Sequence, residues 1–418
     1  MPADTPVKAL ILAFTDAPSL AAYVINRLQP ELLCFFVPES AKTLVEEAVQ
    51  PLVQQMPKRW DWVVTPDPAD VIACHQALSR SIHDLFRNWA VQVGEVVVDL
   101  TGATPAMAAA LATVSQPWTS RVISLVDAEG REEGEAIAIG GLAKYWLQGN
   151  PWDESAVVVR REASDAFNHG SFRAAATLFH TQEARVSGGQ KPLYRALGEL
   201  ALGYGLWEQF HYRQAWDKLK TSLKALDMAS LWGGPPGLKA LLPFIKANNG
   251  FLEKLVLDPA DVKEGVVLDL LAHAHRRAHV DHDHERAMVA LVRAMEACAQ
   301  RQLFKQYKIK TWDVQPGQLP DAMRDTCRTC YLDDVDGKYK LPLQSQFRIL
   351  AGLGDQMGQA FLRDWPKMKP LFDAANHAVL GHGFEAIKAE RVQQLSDVVM
   401  KLTGVSESSL PKFPVLSL

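Results

Sequence analysis

The sequence predicts a Rossmann-like α/β domain with a parallel sheet at its N-terminal end, followed by an all-α region of helical hairpins and a C-terminal helical domain. Three observations carry this. Short apolar runs alternate with helical stretches as far as Leu100, which implies parallel strands with helices on both faces of the sheet. Beyond Gly140-Gly141 the strand runs stop, and Ala and Leu at three- and four-residue spacing take over. The chain has 418 residues, more than one ordinary core needs, which suits about two or three domains.

The elements follow in order. Lys8 to Phe14 is an apolar strand that runs into Thr15-Asp16-Ala17-Pro18-Ser19, where turn formers and helix-capping residues cluster. A helix from about Ser19 to Leu28 leads to a second strand, Leu32 to Val37, and Pro38-Glu39-Ser40 opens another helix. Trp62-Val63-Val64 is a third strand, and the stretch from about Pro68 to Ala90 is helical. Glu95 to Leu100 is a fourth strand, apolar enough to be buried on both faces. Pro105 suits the first turn of a helix through Met107 and Ala108-Ala109-Ala110. A boundary is expected between residues 145 and 160, around Gly149-Asn150-Pro151, which gives domains at 1–150, 151–265 and 266–418.

The helical part carries a weak repeat. Phe172-x-x-Ala175, Tyr212-x-x-Ala215 and His284-x-x-Ala287 each follow a polar turn and open a helix. A small residue one turn in lets antiparallel helices approach closely, and the unequal spacings of 40 and 72 residues indicate hairpins and not a regular solenoid. From Glu285 a long amphipathic helix follows, with Arg293, Glu296 and Gln300 on its solvated face.

The composition is that of an ordinary globular chain, with 48% hydrophobic and 22% charged residues. A net charge of −4 excludes a strongly basic nucleic-acid coat and leaves room for a local basic cleft. No apolar run is long enough to span a bilayer and no secretory leader is evident, so a cytoplasmic protein that makes no membrane contact is expected. The five cysteines do not suit a secreted disulfide framework. Cys327-Arg-Thr-Cys330 has half the spacing of a zinc site but no matching pair, and reads as two thiols near a helix end. Residues 271–284 hold five of the twelve histidines, with His275 and His279 on one helix face. No metalloprotease glutamate follows the first His, and Asp281 to His284 looks like an inter-helix turn with a capping Asp, so no metal is assigned.

Two segments carry chemistry. Ligands of parallel sheets bind beyond the carboxyl ends of the strands, where helix N-termini present N–H groups to anions. The loop Phe14, Thr15, Asp16, Pro18 and Ser19 and the loop Thr101, Gly102, Ala103, Thr104 and Met107 have that position, the glycine allowing close backbone approach and the threonines offering donors to phosphate. The second segment is Leu371 to Phe384, where Asn376 and His382 interrupt an apolar helical stretch, and Gly381 and Gly383 suggest a helix ending or bending at His382. On chemistry alone, a capping His beside the dipole of a helix end is the favoured account of this segment.

Both segments resemble the CRISPR-associated CARF–HEPN family. The strand into Thr101-Gly102-Ala103-Thr104-Pro105-Ala106-Met107 is similar to the CARF signature loop, Thr-Gly-Gly-Thr-Lys-x-Met, with Ala103 in place of the second glycine and Pro105 in place of the lysine. Asn376, Leu380, His382, Gly383 and Phe384 lie in register with the HEPN motif, Arg-Asn-x-x-x-Leu-Ala-His-Gly, and Ala375 stands at its arginine. Ala287 to Gln300 and Lys340-Leu341-Pro342-Leu343 extend the likeness, so it covers essentially the whole chain.

The resemblance implies a CARF domain that takes cyclic oligoadenylate as an allosteric activator, an HEPN-like effector that cleaves single-stranded RNA without a catalytic cofactor or metal, and a homodimer. In the family, His and Arg pairs meet across the dimer. His382, Asn376 and the residue at position 375 are then the catalytic set, and Ala375 implies impaired cleavage, by engineering or by natural loss. Two alternatives stay open: a non-enzymatic sensor that recruits a partner, and a CARF domain that degrades its own ligand through Thr15, Ser19 or Thr104.

Overall fold

The computed structural model describes residues 7–92, 94–127, 135–231 and 233–418. They divide into two compact units, Met1–Ser155 and Ala156–Leu418.

The first unit is built on a sheet with strand order β3-β2-β1-β4-β5-β7-β6. Strands β1 (Ala9–Ala13), β2 (Leu32–Pro38), β3 (Arg59–Thr65), β4 (Val96–Asp99) and β5 (Thr119–Asp127) are parallel, as the βαβ alternation predicts. Helices α1 (Pro18–Leu28), α3 (Val71–Trp89) and α4 (Pro105–Ser115) form the connections, and α2 (Lys42–Leu44) is the centre of a helical stretch over 39–52 that passes through 3-10, α and π geometry. Every residue of β1, β2 and β4 is buried. The strands separate two apolar cores, one holding Leu10, Leu12 and Phe14 and the other Ile11, Ala13 and Met107.

The expectation that strands stop at Gly140-Gly141 is corrected. β6 (Glu135–Ile139) and β7 (Leu142–Gly149) form an antiparallel hairpin that joins the sheet through β5. Gly140 and Gly141 are its two-residue turn, with φ of +56° and +82°, the paired left-handed conformation that matches strand twist. Strands β6 and β7 are largely solvent-facing, so their residues lack the continuous apolar texture that marks β1 to β4. A short helix, α5 (Pro151–Ser155), closes the unit.

The second unit is helical: α6 (Val157–Asn168), α7 (Phe172–Arg185), α8 (Lys191–Glu208), α9 (Tyr212–Leu231), α10 (Leu238–Leu257), α11 (Glu264–His279), α12 (His284–Tyr307), α13 (Asp321–Tyr331), α14 (Leu343–Gly352), α15 (Gln356–His377) and α16 (Ala389–Thr403). One core gathers residues of α6 to α10, and another gathers residues of α11 to α16. Each repeat signal falls on the first residue of a helix, at Phe172, Tyr212 and His284, and Ala175, Ala215 and Ala287 are fully buried.

Three of the histidines in the histidine-rich stretch pack against neighbouring side chains or one another. His273 is buried beside Glu208 at 2.9 Å, His275 and His279 stack at 4.1 Å between ring centroids, and Asp283 caps α12 by accepting from the Arg286 amide at 3.0 Å. Cys327 is buried and Cys330 exposed near the end of α13. Among the described residues no group of three or more His, Cys, Asp or Glu side chains is arranged to hold a metal. No helix among them is long and apolar enough to cross a membrane.

Candidate functional site

Strand β1 lies between β2 and β4, and the connections from its two sides leave in opposite directions, which makes the gap beyond β1 and β4 the switch point of the sheet. The two predicted loops meet there. Gly102 packs against the β1 end so closely that a β-carbon would lie 2.8 Å from the Ala13 carbonyl oxygen. Thr15 Oγ1 donates to the Gly102 carbonyl at 3.0 Å, fastening one loop to the other. Pro18 and Pro105 begin α1 and α4, so two helix N-termini flank the same gap with first-turn amides unpaired within the helices.

Four of the predicted ligand residues make contacts within the protein. Thr101 Oγ1 donates to Asp99 at 2.5 Å and accepts from the Leu125 amide at 3.0 Å. Thr104 Oγ1 donates to the Pro68 carbonyl and accepts from the Met107 amide at 3.1 Å, capping α4. Both hydroxyls are therefore engaged in shaping the loop. Phe14 and Met107 are fully buried in opposite cores, and the Phe14 amide is bonded to the Phe36 carbonyl at 3.0 Å. They support the loops from beneath. Asp16, Ser19 and the backbone of Gly102 and Ala103 remain at the surface or partly exposed.

Asp99, at the end of β4, was not singled out by sequence. Its carboxyl is buried, and burial raises it to about 7, against hydrogen bonds from the Thr101 hydroxyl and amide that pull the other way. Its Oδ2 has no hydrogen-bond partner among the described residues.

The second predicted site forms at the end of α15. The helix stops at His377, earlier than the expected end or bend at His382, and the chain folds back over its last turn. The His382 amide donates to the Asn376 carbonyl at 2.8 Å, Gly381 and Gly383 donate to the Ala378 carbonyl at 2.9 and 3.2 Å, and Glu385 donates to His377 at 2.9 Å. The glycines are required by this return. A β-carbon at Gly381 would lie 2.2 Å from the Ala375 carbonyl oxygen, and one at Gly383 would lie 2.2 Å from that of His377. Asn376 and His382 are thereby held side by side with both side chains exposed, while Ala375 packs partly against the core. Glu285, in the first turn of α12, anchors the turn by accepting from the Leu380 and Ile387 amides at 3.4 and 3.0 Å. Sequence reasoning missed Glu285, because the partners lie about a hundred residues away and follow no local pattern.

The family model for the Csm6 HEPN domain matches residues 261–406, and that for the Csm6 6H domain matches residues 156–252. The chain belongs to the CRISPR-associated CARF–HEPN family. Among solved structures, Enterococcus italicus Csm6 bound to cyclic hexa-2'-fluoro-hexa-dAMP is similar, at 12% identity, with 96% of each chain covered and a TM-score of 0.56. At that identity the likeness concerns the fold. No curated protein matches the chain. In this CARF–HEPN chain the glycine turn at 378–385 lies inside the matched HEPN segment, and the Thr101–Met107 loop belongs to the α/β unit that precedes both matched segments.

Proposed function

We propose that the protein is a cyclic-oligoadenylate-responsive HEPN ribonuclease of type III CRISPR defence, acting as a cytoplasmic homodimer, whose cleavage of single-stranded RNA is impaired here by Ala375. The observation that carries this is the turn at the end of α15, which presents Asn376 and His382 together on the surface of the segment matched by the HEPN model. Two helix N-termini converging beyond β1 and β4 support an anionic ligand for the α/β unit, and the bound state of the Enterococcus italicus relative supports its being a cyclic oligoadenylate.

In such a nuclease the 2′-hydroxyl of RNA attacks the adjacent phosphorus, the bond to the 5′-oxygen breaks, and a 2′,3′-cyclic phosphate and a 5′-hydroxyl result. His382 moves the protons, because an imidazole ring can both accept and donate one. An arginine at position 375 would stabilise the charge on the phosphate oxygens, and alanine removes that donor. Loss of one transition-state donor costs about two to three decades of rate. With the predicted threonine donors engaged within the loop, ligand phosphates would be met by the backbone amides of the two helix starts and by Ser19.

Ala375→Arg is expected to create cleavage of single-stranded RNA that depends on cyclic oligoadenylate and disappears on adding His382→Ala. An Ala375→Arg protein that binds ligand and leaves RNA intact would overturn the nuclease assignment in favour of a non-enzymatic sensor.

A further inference from the structure

An open cavity of about 710 Å³ lies in the helical unit. Phe210 and Arg213, around the start of α9, line it together with Lys263, just before α11, Arg293 on α12 and Trp312 beyond α12. Two of its aromatic rings are held outward by fixed backbone. Trp312 is 46% exposed, more than any other described tryptophan. Ile309, Thr311 and Val314 are buried around it, and the Asp313 amide donates to the Lys310 carbonyl at 2.9 Å, so a fixed turn carries the indole. Phe210 is 39% exposed and has φ of +63°. The same turn follows α6, where the Gly170 amide donates to Phe167 and that of Ser171 to Ala166, as Phe210 donates to Trp207 and His211 to Leu206. There the left-handed position is a glycine. A side chain raises the energy of that conformation, and at Phe210 it places a ring at the cavity, packed in part on His273 at 4.9 Å between centroids.

The charges around these rings favour an anion. Arg213 is 67% exposed, and its acidic neighbour Asp217 is 3.9 Å away, too far for a hydrogen bond. Arg293 is exposed as well and meets Glu296 at 3.2 Å and Gln300 at 3.1 Å on its own helix. Lys263 Nζ donates to the Leu255 and Val256 carbonyls at 2.9 and 3.4 Å and meets no carboxylate among the described residues. Asp261, the carboxylate in the cavity wall, is held by Lys310 at 2.7 Å. Residues 297–312, which end at Trp312, carry Arg301, Lys305, Lys308 and Lys310 and no acid. Exposed aromatic faces beside cations are how proteins take unpaired nucleic acid, since every base has a flat face and the phosphates follow the charge. The cavity has room for a base together with its sugar and phosphate.

We propose that this cavity holds a segment of single-stranded RNA, with a base stacked on Trp312 and the phosphates met by Arg213, Lys263 and Arg293. It deepens the nuclease reading, on which the choice of RNA rests, by giving the substrate strand a hold through residues other than those of the turn at 378–385.

Fluorescence anisotropy of a labelled single-stranded RNA with the full chain tests it, with Ala375 in place so that binding is read without turnover. Saturable binding is expected, with a duplex of the same sequence about tenfold weaker, because paired bases cannot stack on the indole. Trp312→Ala is expected to weaken the single strand about tenfold, and Trp312→Phe to recover most of that loss. Arg293→Gln is expected to weaken binding and to lower the slope of log affinity against log salt by about 0.7, the share of one phosphate contact on a single strand. No binding, equal affinity for the duplex, or affinity and salt slope unchanged in both Trp312→Ala and Arg293→Gln would overturn the proposal. So would a change of oligomeric state in Trp312→Ala with RNA affinity intact, which would make the cavity a protein contact. The nuclease reading fails separately: RNA binding that depends on Trp312, with no cleavage after Ala375→Arg, would sink that reading and leave the cavity standing.

Discussion

Asp99 ends β4 with its carboxyl buried beneath the Thr101–Met107 loop, and its protonation state is set by burial more than by any neighbour. The ordinary value of 3.8 rises to about 7, with the Thr101 hydroxyl and amide opposing the rise. The folded chain thus holds this proton more tightly than the unfolded one. The neutral acid stabilises the fold fully below about pH 4, and that contribution is lost as pH rises through about 7. Over that window the change amounts to at most about 4 kcal/mol. Asp99→Asn keeps an acceptor for Thr101 and cannot ionise. The unfolding midpoint of the native chain is therefore expected to fall more steeply between about pH 5 and about pH 8 than that of Asp99→Asn. Calorimetry at a series of pH values measures both slopes, and equal slopes would show that Asp99 does not carry the proton. The same residue explains why Thr101 is not a free donor: a buried acid with few partners holds its hydroxyl.

At the scale of elements, the turn after α15 is held by its two glycines and by one side chain from another helix. Glu285 accepts two backbone amides of the turn, and hydrogen bonds to a charged acceptor contribute about 1.5–3 kcal/mol in favourable burial, less here because the group is partly exposed. Glu285→Ala is expected to leave α12 intact and to release the turn, seen as faster hydrogen exchange at the Leu380 and Ile387 amides with α12 and α15 unchanged. Protection that persists at both amides would show that the glycine contacts alone hold the turn. This division also explains what was legible in the sequence. Gly381, His382 and Gly383 announce a chain reversal locally, whereas Glu285 is joined to it only by tertiary folding. The helix starts at Phe172, Tyr212 and His284 were legible because each follows a polar turn and carries an alanine one turn in, whereas the positive φ of Gly170, Phe210 and His282 that turns the chain there is a feature of the fold. The hairpin of β6 and β7 was not, because Gly140-Gly141 signals a turn equally between strands and between domains, and the exposed strands beside it carry no apolar run. In the Thr101–Met107 loop the position of Thr101 and Thr104 was legible from the strand and helix around them, but the partners of their hydroxyls, Asp99 and the Pro68 carbonyl, depend on how the loops fold together.

At the scale of the helical unit, the two cores are joined by the segment that follows α16. Leu410 belongs to the core of α11 to α16, and Leu416 is buried in that of α6 to α10. Between them Phe413 meets Phe172, Tyr204 and Trp207 at ring-centroid distances of 5.8, 4.8 and 5.0 Å and lies under Arg276. The backbone is fixed at both ends of this stretch. Asn248 Nδ2 donates to the Lys412 carbonyl at 3.0 Å, and Asn168 makes a reciprocal pair with Leu416, donating at 2.9 Å and accepting at 2.8 Å. The Asn168 pair joins the start of the unit to a residue 248 positions further on, and the Asn248 bond spans 164, so they contribute only after both cores have formed and cannot be replaced by local propensity. Phe413→Ala removes the aromatic centre of the strap while leaving the asparagine bonds chemically possible. Truncating a half-buried aromatic in such a cluster is expected to cost about 2–4 kcal/mol. The loss should appear in hydrogen exchange as weakened protection of α6 and α7 amides, with α12 retaining its own. If instead all the helices lose protection together, the strap is a uniform part of one cooperative core; if none does, the asparagine bonds alone tie the two cores.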